Sequence, residues 1–292
     1  MKIKVSDTTV IKEFLQNIKL PPTNSHKGTN GKLLIVGGSS LFHSASIWAA
    51  EIASHFVDMV HYASTPENEE IFLHLKKIFR NGIVVPKRDI MEYAGQDDCI
   101  LIGPGMMREG SDGTYTEAIT KELITKFPDK KFVFDAGALQ MMKKDWFAKL
   151  KERPIITPHI KEFQSLFNID LSGCSQEEMG KEVTEVAKKY GITILLKSIT
   201  DYITDGEICH QVTGGNAGLT KGGTGDVLSG LAASLYTTND SVTSSLSSSI
   251  LLKATAEKLF DVSGYWYNVS DIINTLPKVL AENHGKLNIG VK

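Results

Sequence analysis

Residues 213–230 hold the combination of glycines and side chains that is best suited to chemistry. The segment reads TGGNAGLTKGGTGDVLSG, and Gly222, Gly223 and Gly225 fall where a helix is predicted to begin. Glycines leave backbone N–H groups uncovered, and the N-terminus of a helix carries partial positive charge, so the segment predicts an anion site. Asp226 follows in the first helical turn, with a carboxylate that can accept a hydroxyl proton during phosphoryl transfer.

A simpler role for Asp226 is to cap the helix through its carboxylate. Capping, however, does not require three glycines in the four residues before it. An anion site built from backbone N–H groups does use such glycines, because they let a ligand approach the backbone closely. We therefore interpret Asp226 as a candidate base beside a phosphate-binding loop.

Glycine or polar residues also follow five short apolar runs elsewhere in the chain. They are Gly37-Gly38-Ser39, Gly103-Pro104-Gly105, Asp135-Ala136-Gly137, Pro158-His159 and Lys197. A single glycine-rich turn is usually only a turn, since Gly and Pro serve turns everywhere. Five such groups at successive strand ends instead favour a binding site, because ligands gather at the carboxyl ends of parallel strands.

The surrounding pattern predicts the elements that carry these residues. Apolar runs alternate with helical patterns, which indicates an α/β fold with a mostly parallel sheet covered on both faces. Strands are predicted at residues 32–36, 58–63, 82–85, 99–102, 131–134, 154–157 and 192–196, with a hairpin at 202–212. Helices are predicted at residues 9–18, 44–56, 115–127 and 177–190, and again from Asp226 onward. No repeat or linker interrupts the pattern, so we expect the 292 residues to form one domain.

The composition argues against several other classes of protein. A net charge of −2 gives no electrostatic reason to expect a nucleic acid or an anionic membrane as partner. Cys99, Cys174 and Cys209 are odd in number and far apart, so a disulfide framework or a zinc site is not expected. The N-terminus lacks the apolar core of a signal peptide, and no apolar run is long enough to cross a bilayer. These features predict a cytoplasmic protein.

Several motifs together resemble those of the NAD(P)H-hydrate dehydratases, a branch of the ribokinase-like superfamily. GTGD resembles the anion-hole motif of the superfamily, and GNAGLTKGGTGDVLSGL resembles this branch of it. Counterparts of the family's GPG, D-A-D-A-L, TPH-x-GEF and LKG motifs follow in the same order, at residues 103–105, 135–139, 157–163 and 196–198. The resemblance covers about residues 27–280 and implies a three-layer sandwich with a mostly parallel central sheet flanked by helices. It also leads us to expect no fused epimerase domain.

The resemblance implies an ADP- or ATP-dependent activity on hydrated NADH or NADPH. Family members phosphorylate the hydroxyl at C6 of the hydrated nicotinamide ring, and loss of that phosphate restores the double bond. Carried onto this chain, Asp226 contacts the ring and acts as the base, and Ala45, Gly105 and His159 line the dinucleotide pocket. The implied nucleotide-binding residues are Lys197, Ser198, Ile199, Thr200, Asp201, Asn216, Gly222, Gly223, Thr224 and Gly225. Mg²⁺ is expected with the nucleotide, without a legible set of metal ligands, and a homotetramer is implied.

The sequence departs from the family pattern mostly on the dinucleotide side, whereas GTGD is intact. Gly137 replaces the second aspartate of D-A-D-A-L, Lys161 and Ser198 replace motif glycines, Met107 changes the turn after GPG, and His43-Ser44-Ala45 replaces T-G-A. Phosphoryl chemistry is therefore predicted more firmly than the identity of the acceptor.

Purely structural roles for several of these residues, and two alternative functions, remain open at this point. His159 can be a turn histidine, Lys197 an ordinary solvated lysine, and Met106 and Met107 packing residues. A small-molecule kinase would use the same anion hole but release a phosphorylated product. A non-catalytic nucleotide-binding module would keep the loop and dispense with the base.

Overall fold

Ten strands form one sheet in the computed structural model, which describes residues 1–287. In chain order they are β1 (Lys2–Lys4), β2 (Lys32–Val36), β3 (Met59–Ala63), β4 (Gly82–Val84), β5 (Cys99–Ile102), β6 (Lys131–Phe134), β7 (Ile155–Ile156), β8 (Thr193–Leu196), β9 (Asp201–Thr204) and β10 (Cys209–Thr213). Their order across the sheet is β1-β10-β9-β8-β7-β6-β5-β2-β3-β4. Only β9 runs antiparallel to its neighbours within the described residues, so the sheet is mostly parallel, as predicted.

Helices cover both faces of this sheet. In chain order they are α1 (Thr8–Leu15), α2 (Ser44–Ala53), α3 (Pro66–Leu75), α4 (Ile90–Gln96), α5 (Gly110–Lys126), α6 (Ala136–Met141), α7 (Ile160–Phe167), α8 (Gln176–Tyr190), α9 (Thr224–Tyr236), α10 (Ser241–Ser263) and α11 (Val269–Asn283). Helices α4 to α8 share one apolar core with the sheet, and the others pack on the opposite face. The result is the three-layer α/β sandwich expected from the alternation of apolar runs and helical patterns.

Strand β2 shows why the central runs are apolar at every position. Leu34 and Val36 enter the core on one face, whereas Leu33 and Ile35 enter the core on the other. Successive side chains of a strand point to opposite faces, so a strand covered on both sides needs an unbroken apolar run. This is the pattern that predicted the strand.

The strand order reverses between β2 and β5, and this reversal positions the site. From β2 the chain continues outward to β3 and β4, whereas β5 leads the other way, to β6, β7 and β8. Connections that leave in opposite directions open a crevice at the carboxyl ends of the two strands, where open α/β sheets bind ligands. The predicted glycine and polar groups after these strands therefore come together at one edge.

Most predicted element bounds agree with the structure to within three residues, but α5 begins at Gly110, five residues before the predicted residue 115. The first helix ends at Leu15 instead of residue 18, and β7 keeps only Ile155 and Ile156 of the predicted residues 154–157. Strand β1 was not predicted, because Lys2–Lys4 buries only Ile3 and pairs with β10 more than 200 residues away. No helix within residues 1–287 is both long and apolar enough to span a membrane.

Candidate active site

A cavity of about 450 Å³ opens at the carboxyl edge of the sheet, beside the reversal of strand order. Its walls come from the turns that follow β2, β5 and β6 and from the first turn of α9. The lining residues are Leu41, Phe42, Ala45, Gly105, Met106, Met107, Arg108, Glu109, Ala136, Gly137, Gln140 and Asp226. Its volume lies within the usual range of roughly 300–1,000 Å³ for small-molecule sites.

Asp226 lies at the floor of this cavity, in the first turn of α9. Within residues 1–287 its carboxylate enters no ion pair, unlike the other acidic groups around it. Burial, together with repulsion from Asp135, raises the pKa of Asp226 to about 7, against the opposing attraction of Lys197. A carboxyl with that pKa changes protonation near neutral pH, which suits a general base.

Lys197 and Asp135 form an ion pair beside the start of α9. Asp135 follows β6 and is 1% exposed, and its Oδ1 lies 2.8 Å from the Nζ of Lys197, which follows β8. Burial opposes the charge of Lys197, but the carboxylates of Asp135, Glu162 and Asp226 outweigh it and raise the pKa of the ammonium. Lys197 is therefore held as a cation beside Gly225 at the start of α9, which argues against an ordinary solvated lysine.

The glycines of the anion loop, defined as residues 213–226, fall into two kinds. A methyl group at Gly223 would lie 2.5 Å from the Trp48 ring, and the φ of Gly223 is +101°, so this glycine is required by packing and backbone. A methyl group at Gly222 would touch nothing, and one at Gly225 would meet only the Nζ of Lys197, at 3.5 Å. Gly222 and Gly225 thus leave open space at a helix N-terminus, as an anion site requires.

Two polar side chains of the anion loop, those of Asn216 and Thr224, hold the loop in shape. Asn216 donates to the carbonyl of Ala256 at 2.8 Å, and its Oδ1 accepts from Gly218 N and the Tyr267 hydroxyl. Thr224 is 8% exposed and donates to the carbonyl of Leu219. Backbone N–H groups, rather than these side chains, are therefore what the loop offers to a ligand.

We call residues 197–201 the nucleotide segment. All five residues were predicted to bind the nucleotide, but the last two face the interior of the protein. Thr200 and Asp201 are buried, and Asp201 accepts hydrogen bonds from Ser198 N and from the Ser249 hydroxyl. Its carboxylate also lies 3.5 Å from the Nζ of Lys253, a buried lysine of α10. Lys197, Ser198 and the exposed Ile199 are the residues of the segment that are not buried, while Asp201 holds the segment in place.

Lys253 was not identified from the sequence, although it ties this segment to α10. Its Nζ donates to the carbonyl of Ile199 at 2.9 Å, and a methyl group at Gly215 of the anion loop would lie 3.3 Å from its Cγ. Glu257, one turn further along α10, accepts from Gly215 N. One helix therefore sets the relative position of the nucleotide segment and the anion loop, across sequence separations that carry no local signal.

The predicted dinucleotide residues divide between cavity and support. Ala45, Gly105 and Asp226 line the cavity. His159 instead caps α7: its Nδ1 accepts from Glu162 N, and the Glu162 carboxylate accepts from His159 N. Gln140 connects this capping box to the cavity, because it lines the cavity and donates to Glu162 at 3.0 Å.

The positions that depart from the family pattern have local explanations in part. A methyl group at Gly137 would lie 2.3 Å from the carbonyl oxygen of Met106, so no larger side chain fits there. Met106 is buried in the core as predicted and, with Met107, also lines the cavity. Lys161 is exposed and is absent from the cavity lining.

Within residues 1–287 no three His, Cys, Asp or Glu side chains converge as a metal site would require. Asp135 is committed to Lys197, and Glu162 is committed to the capping box. Around the cavity the described residues therefore provide a candidate anion site, the cations Lys197 and Arg108, and the unpaired carboxyl of Asp226, without a protein cage for a metal ion.

Comparison with known proteins finds a family model, curated relatives and solved structures that are similar to this chain. The family model described as NAD(P)H-hydrate dehydratase matches residues 33–278. A bifunctional NAD(P)H-hydrate repair enzyme of Methanocaldococcus jannaschii is 32% identical over 271 residues, covering 91% of this chain and 51% of its own length. This chain thus spans about half of that relative.

Two further similarities extend over whole chains. An ADP-dependent (S)-NAD(P)H-hydrate dehydratase of Nitrosopumilus maritimus is 30% identical, and the match covers 89% of this chain and 90% of that protein. The structure of the ADP/ATP-dependent NAD(P)H-hydrate dehydratase of Bacillus subtilis, co-crystallised with ATP and Mg²⁺, superimposes with a TM-score of 0.76. That match covers 92% of this chain and 97% of the other at 23% identity, and it confirms the predicted ribokinase-like fold.

Proposed function

Because this chain belongs to the NAD(P)H-hydrate dehydratase family, we propose that it restores hydrated NADH or NADPH at the expense of ADP or ATP. The observation that carries the proposal is the uncommitted carboxyl of Asp226, whose pKa is raised to about 7, beside open glycines at a helix N-terminus. An acceptor hydroxyl in the cavity then faces a base on one side and a phosphate site on the other.

The first step is transfer of the terminal phosphoryl group of the nucleotide. The N–H groups at the start of α9 bind the phosphate oxygens, and Lys197, held charged by Asp135, adds a cation next to Gly225. Asp226 takes the proton of the acceptor hydroxyl as the oxygen–phosphorus bond forms and the bond to the leaving nucleotide breaks. The nucleotide segment, tied to α10 through Asp201 and Lys253, positions the rest of the nucleotide.

The second step is loss of the transferred phosphate. Hydroxide is a poor leaving group, whereas phosphate is a good one, so the lone pair of the ring nitrogen expels it from C6. Loss of a proton from the neighbouring ring carbon then restores the double bond, so the products are NADH or NADPH, inorganic phosphate and the shortened nucleotide. The phosphoryl group therefore leaves the acceptor within the same catalytic cycle.

We propose that Mg²⁺ enters with the nucleotide as part of the substrate. The Bacillus subtilis relative was co-crystallised with ATP and Mg²⁺, and Mg²⁺ is commonly bound through substrate phosphates with few protein ligands. The lack of three converging ligands among residues 1–287 fits such a nucleotide-borne ion better than a resident one. Its chemistry is neutralisation of charge on the transferring phosphoryl group.

The decisive experiment measures two products in one reaction. The protein is incubated with hydrated NADH and Mg²⁺, with either ADP or ATP, and the absorbance of NADH is followed together with free phosphate. We expect one phosphate released per NADH restored, with nucleotide consumption that depends on the hydrated dinucleotide.

Other outcomes would point to the alternatives. Phosphate retained on an organic acceptor, with no rise in NADH absorbance, would identify a kinase of the same superfamily. Nucleotide binding without consumption under any of these conditions would identify a non-catalytic module. The family membership and the uncommitted Asp226 make neither outcome the expected one.

A further inference from the structure

The turn after β2 places two large apolar side chains at the rim of the cavity. We call residues 39–43 the rim segment; it connects β2 to α2. Leu41 is 65% exposed and Phe42 is 52% exposed, and both line the cavity that contains Asp226. Single exposed apolar residues are common, but an adjacent pair at the wall of a substrate cavity is typical of a ligand contact.

The rim segment is held in a defined shape by buried polar groups. Ser39, 2% exposed, accepts hydrogen bonds from Phe42 N at 3.0 Å and from Leu41 N. Asn68, fully buried on α3, donates to the carbonyl of Ser39 at 3.1 Å, and its Oδ1 lies 2.6 Å from the Nδ1 of His43. Both ends of the segment are thus fixed, so the exposure of its two apolar side chains is built into the fold.

The backbone of the rim segment also packs against the turn after β5. A methyl group at Gly105 would lie 2.8 Å from the carbonyl oxygen of Phe42 and 2.9 Å from the Cβ of Ala45. The two turns therefore form one continuous wall, to which Met106 and Met107 add further apolar surface.

The acceptor must meet this wall if its hydroxyl is to reach Asp226. A hydrated nicotinamide ring carries a hydroxyl on one carbon and a carboxamide on another, and its two faces are largely apolar. With the hydroxyl directed to the carboxylate, the ring faces have the apolar side chains of the same cavity as neighbours, while Arg108, Glu109 and Gln140 of the lining are available to its polar groups. Water in that space would also reach the phosphoryl group, and attack by water would release phosphate without restoring NADH.

We propose that Leu41 and Phe42 form the contact surface for the hydrated nicotinamide ring, and that Asn68 and His43 act as positioning residues for it. This inference rests on the proposed function. It assigns two tasks to the apolar pair: binding the acceptor, and excluding water from the phosphoryl group. Both tasks can be measured separately from nucleotide binding.

The test compares Leu41→Ala and Phe42→Ala with the unmodified protein. Loss of one large apolar contact predicts a rise of about 10-fold to 100-fold in the KM for hydrated NADH. The KM for the nucleotide should stay within about twofold, and the ratio of phosphate released to NADH restored should rise above one. Phe42→Leu, which keeps an apolar side chain, should recover most of the affinity.

The positioning role is tested with His43→Ala, because removal of the buried Asn68 can disturb the fold as a whole. This variant removes the His43–Asn68 bond, one of the two that connect the rim segment to α3, and leaves the Asn68–Ser39 bond and both apolar side chains in place. We expect a smaller rise in the KM for hydrated NADH, with the nucleotide KM unchanged. An equal effect on both KM values would instead indicate general damage and contradict the positioning role.

Leu73→Ala and Phe260→Ala serve as matched controls, since they remove exposed apolar side chains that do not line the cavity. Both should match the unmodified protein. If Leu41→Ala and Phe42→Ala also keep a normal KM for hydrated NADH and a ratio of one, the inference is wrong while the proposed function stands. If the unmodified protein restores no NADH with either nucleotide, both fail together.

Discussion

The two halves of the candidate site are built by different means. On the candidate phosphate side, the polar side chains of Asn216, Thr224 and Asp201 form hydrogen bonds within the protein. The groups that face open space there are backbone N–H groups and glycines. On the acceptor side, side chains such as Phe42 and Met107 form the wall themselves. A backbone site needs glycine at fixed positions, whereas a side-chain wall accepts many residues of suitable size.

This difference explains why the departures from the family pattern cluster on the acceptor side. His43 is larger than the threonine of the family motif, and the structure accommodates its ring through a hydrogen bond with Asn68. Gly137 removes a carboxylate, but the Met106 carbonyl already fills the space that a side chain would need. These substitutions adjust a wall, whereas a comparable change at Gly225 would enter the phosphate site.

Asp226→Asn tests the group that the two halves share, and it should have the largest effect. The amide keeps the shape but cannot take the hydroxyl proton, so turnover should fall by about 10²–10⁴-fold while nucleotide binding persists. Because the pKa of Asp226 is raised to about 7 and its ionised form is the base, kcat/KM should rise as pH increases through about 7 and then level off. The residual activity of the variant should lack this rise.

Asp129→Asn is the control for Asp226→Asn, since Asp129 is an exposed aspartate that pairs with Lys151 away from the cavity. It should keep both the rate and the pH profile. A near-normal rate in Asp226→Asn would remove the base assignment and favour a binding role for this carboxylate.

Gly225→Ala, compared with Gly223→Ala, tests whether the open space in the anion loop exists for a ligand. A methyl group at Gly225 meets only the Nζ of Lys197 at 3.5 Å, so the free protein should melt at an unchanged or higher temperature. The methyl group would occupy space at the phosphate site and hold the phosphate away from the backbone N–H groups, so nucleotide affinity should fall about 10-fold to 100-fold.

Gly223→Ala should instead lower the melting temperature of the free protein, because its methyl group would collide with Trp48. Calorimetric melting and nucleotide titration of both variants decide the comparison. Unchanged nucleotide affinity in a folded Gly225→Ala protein would contradict the anion-site interpretation of this loop.

The sequence predicted those parts of the fold and of the candidate site that depend on local patterns, and it missed roles that depend on contacts across the fold. The anion loop and the strand ends were legible because glycine content and apolar periodicity are local signals. The roles of Lys253, Asn68 and Gln140 were not, since each acts on residues 22 to 54 positions away through the packed fold. His159 is a different case: its capping partner Glu162 is only three residues away, but the family resemblance had assigned His159 to the cavity wall, and the local capping role was not considered.

Lys161→Ala should have the smallest effect. It tests whether each difference from the family motif on the acceptor side affects activity. Lys161 stands where the family has glycine, which suggests a side chain that crowds the pocket or contacts a phosphate. In the structure it is exposed near the start of α7 and does not line the cavity. Removing an uninvolved surface lysine typically changes stability by no more than about 0.5 kcal/mol. By the same reasoning, kcat/KM for hydrated NADH should change by less than about twofold.

Lys149→Ala, which removes another exposed lysine outside the cavity, provides the baseline for Lys161→Ala. Steady-state kinetics of the two variants with hydrated NADH and nucleotide should be indistinguishable, because neither ammonium lies at the cavity wall. A tenfold loss confined to Lys161→Ala would mean that its flexible side chain reaches the bound substrates. In that case the acceptor side would contain a second cationic contact besides Arg108 of the cavity lining, and the description of this side as mainly an apolar wall would be wrong.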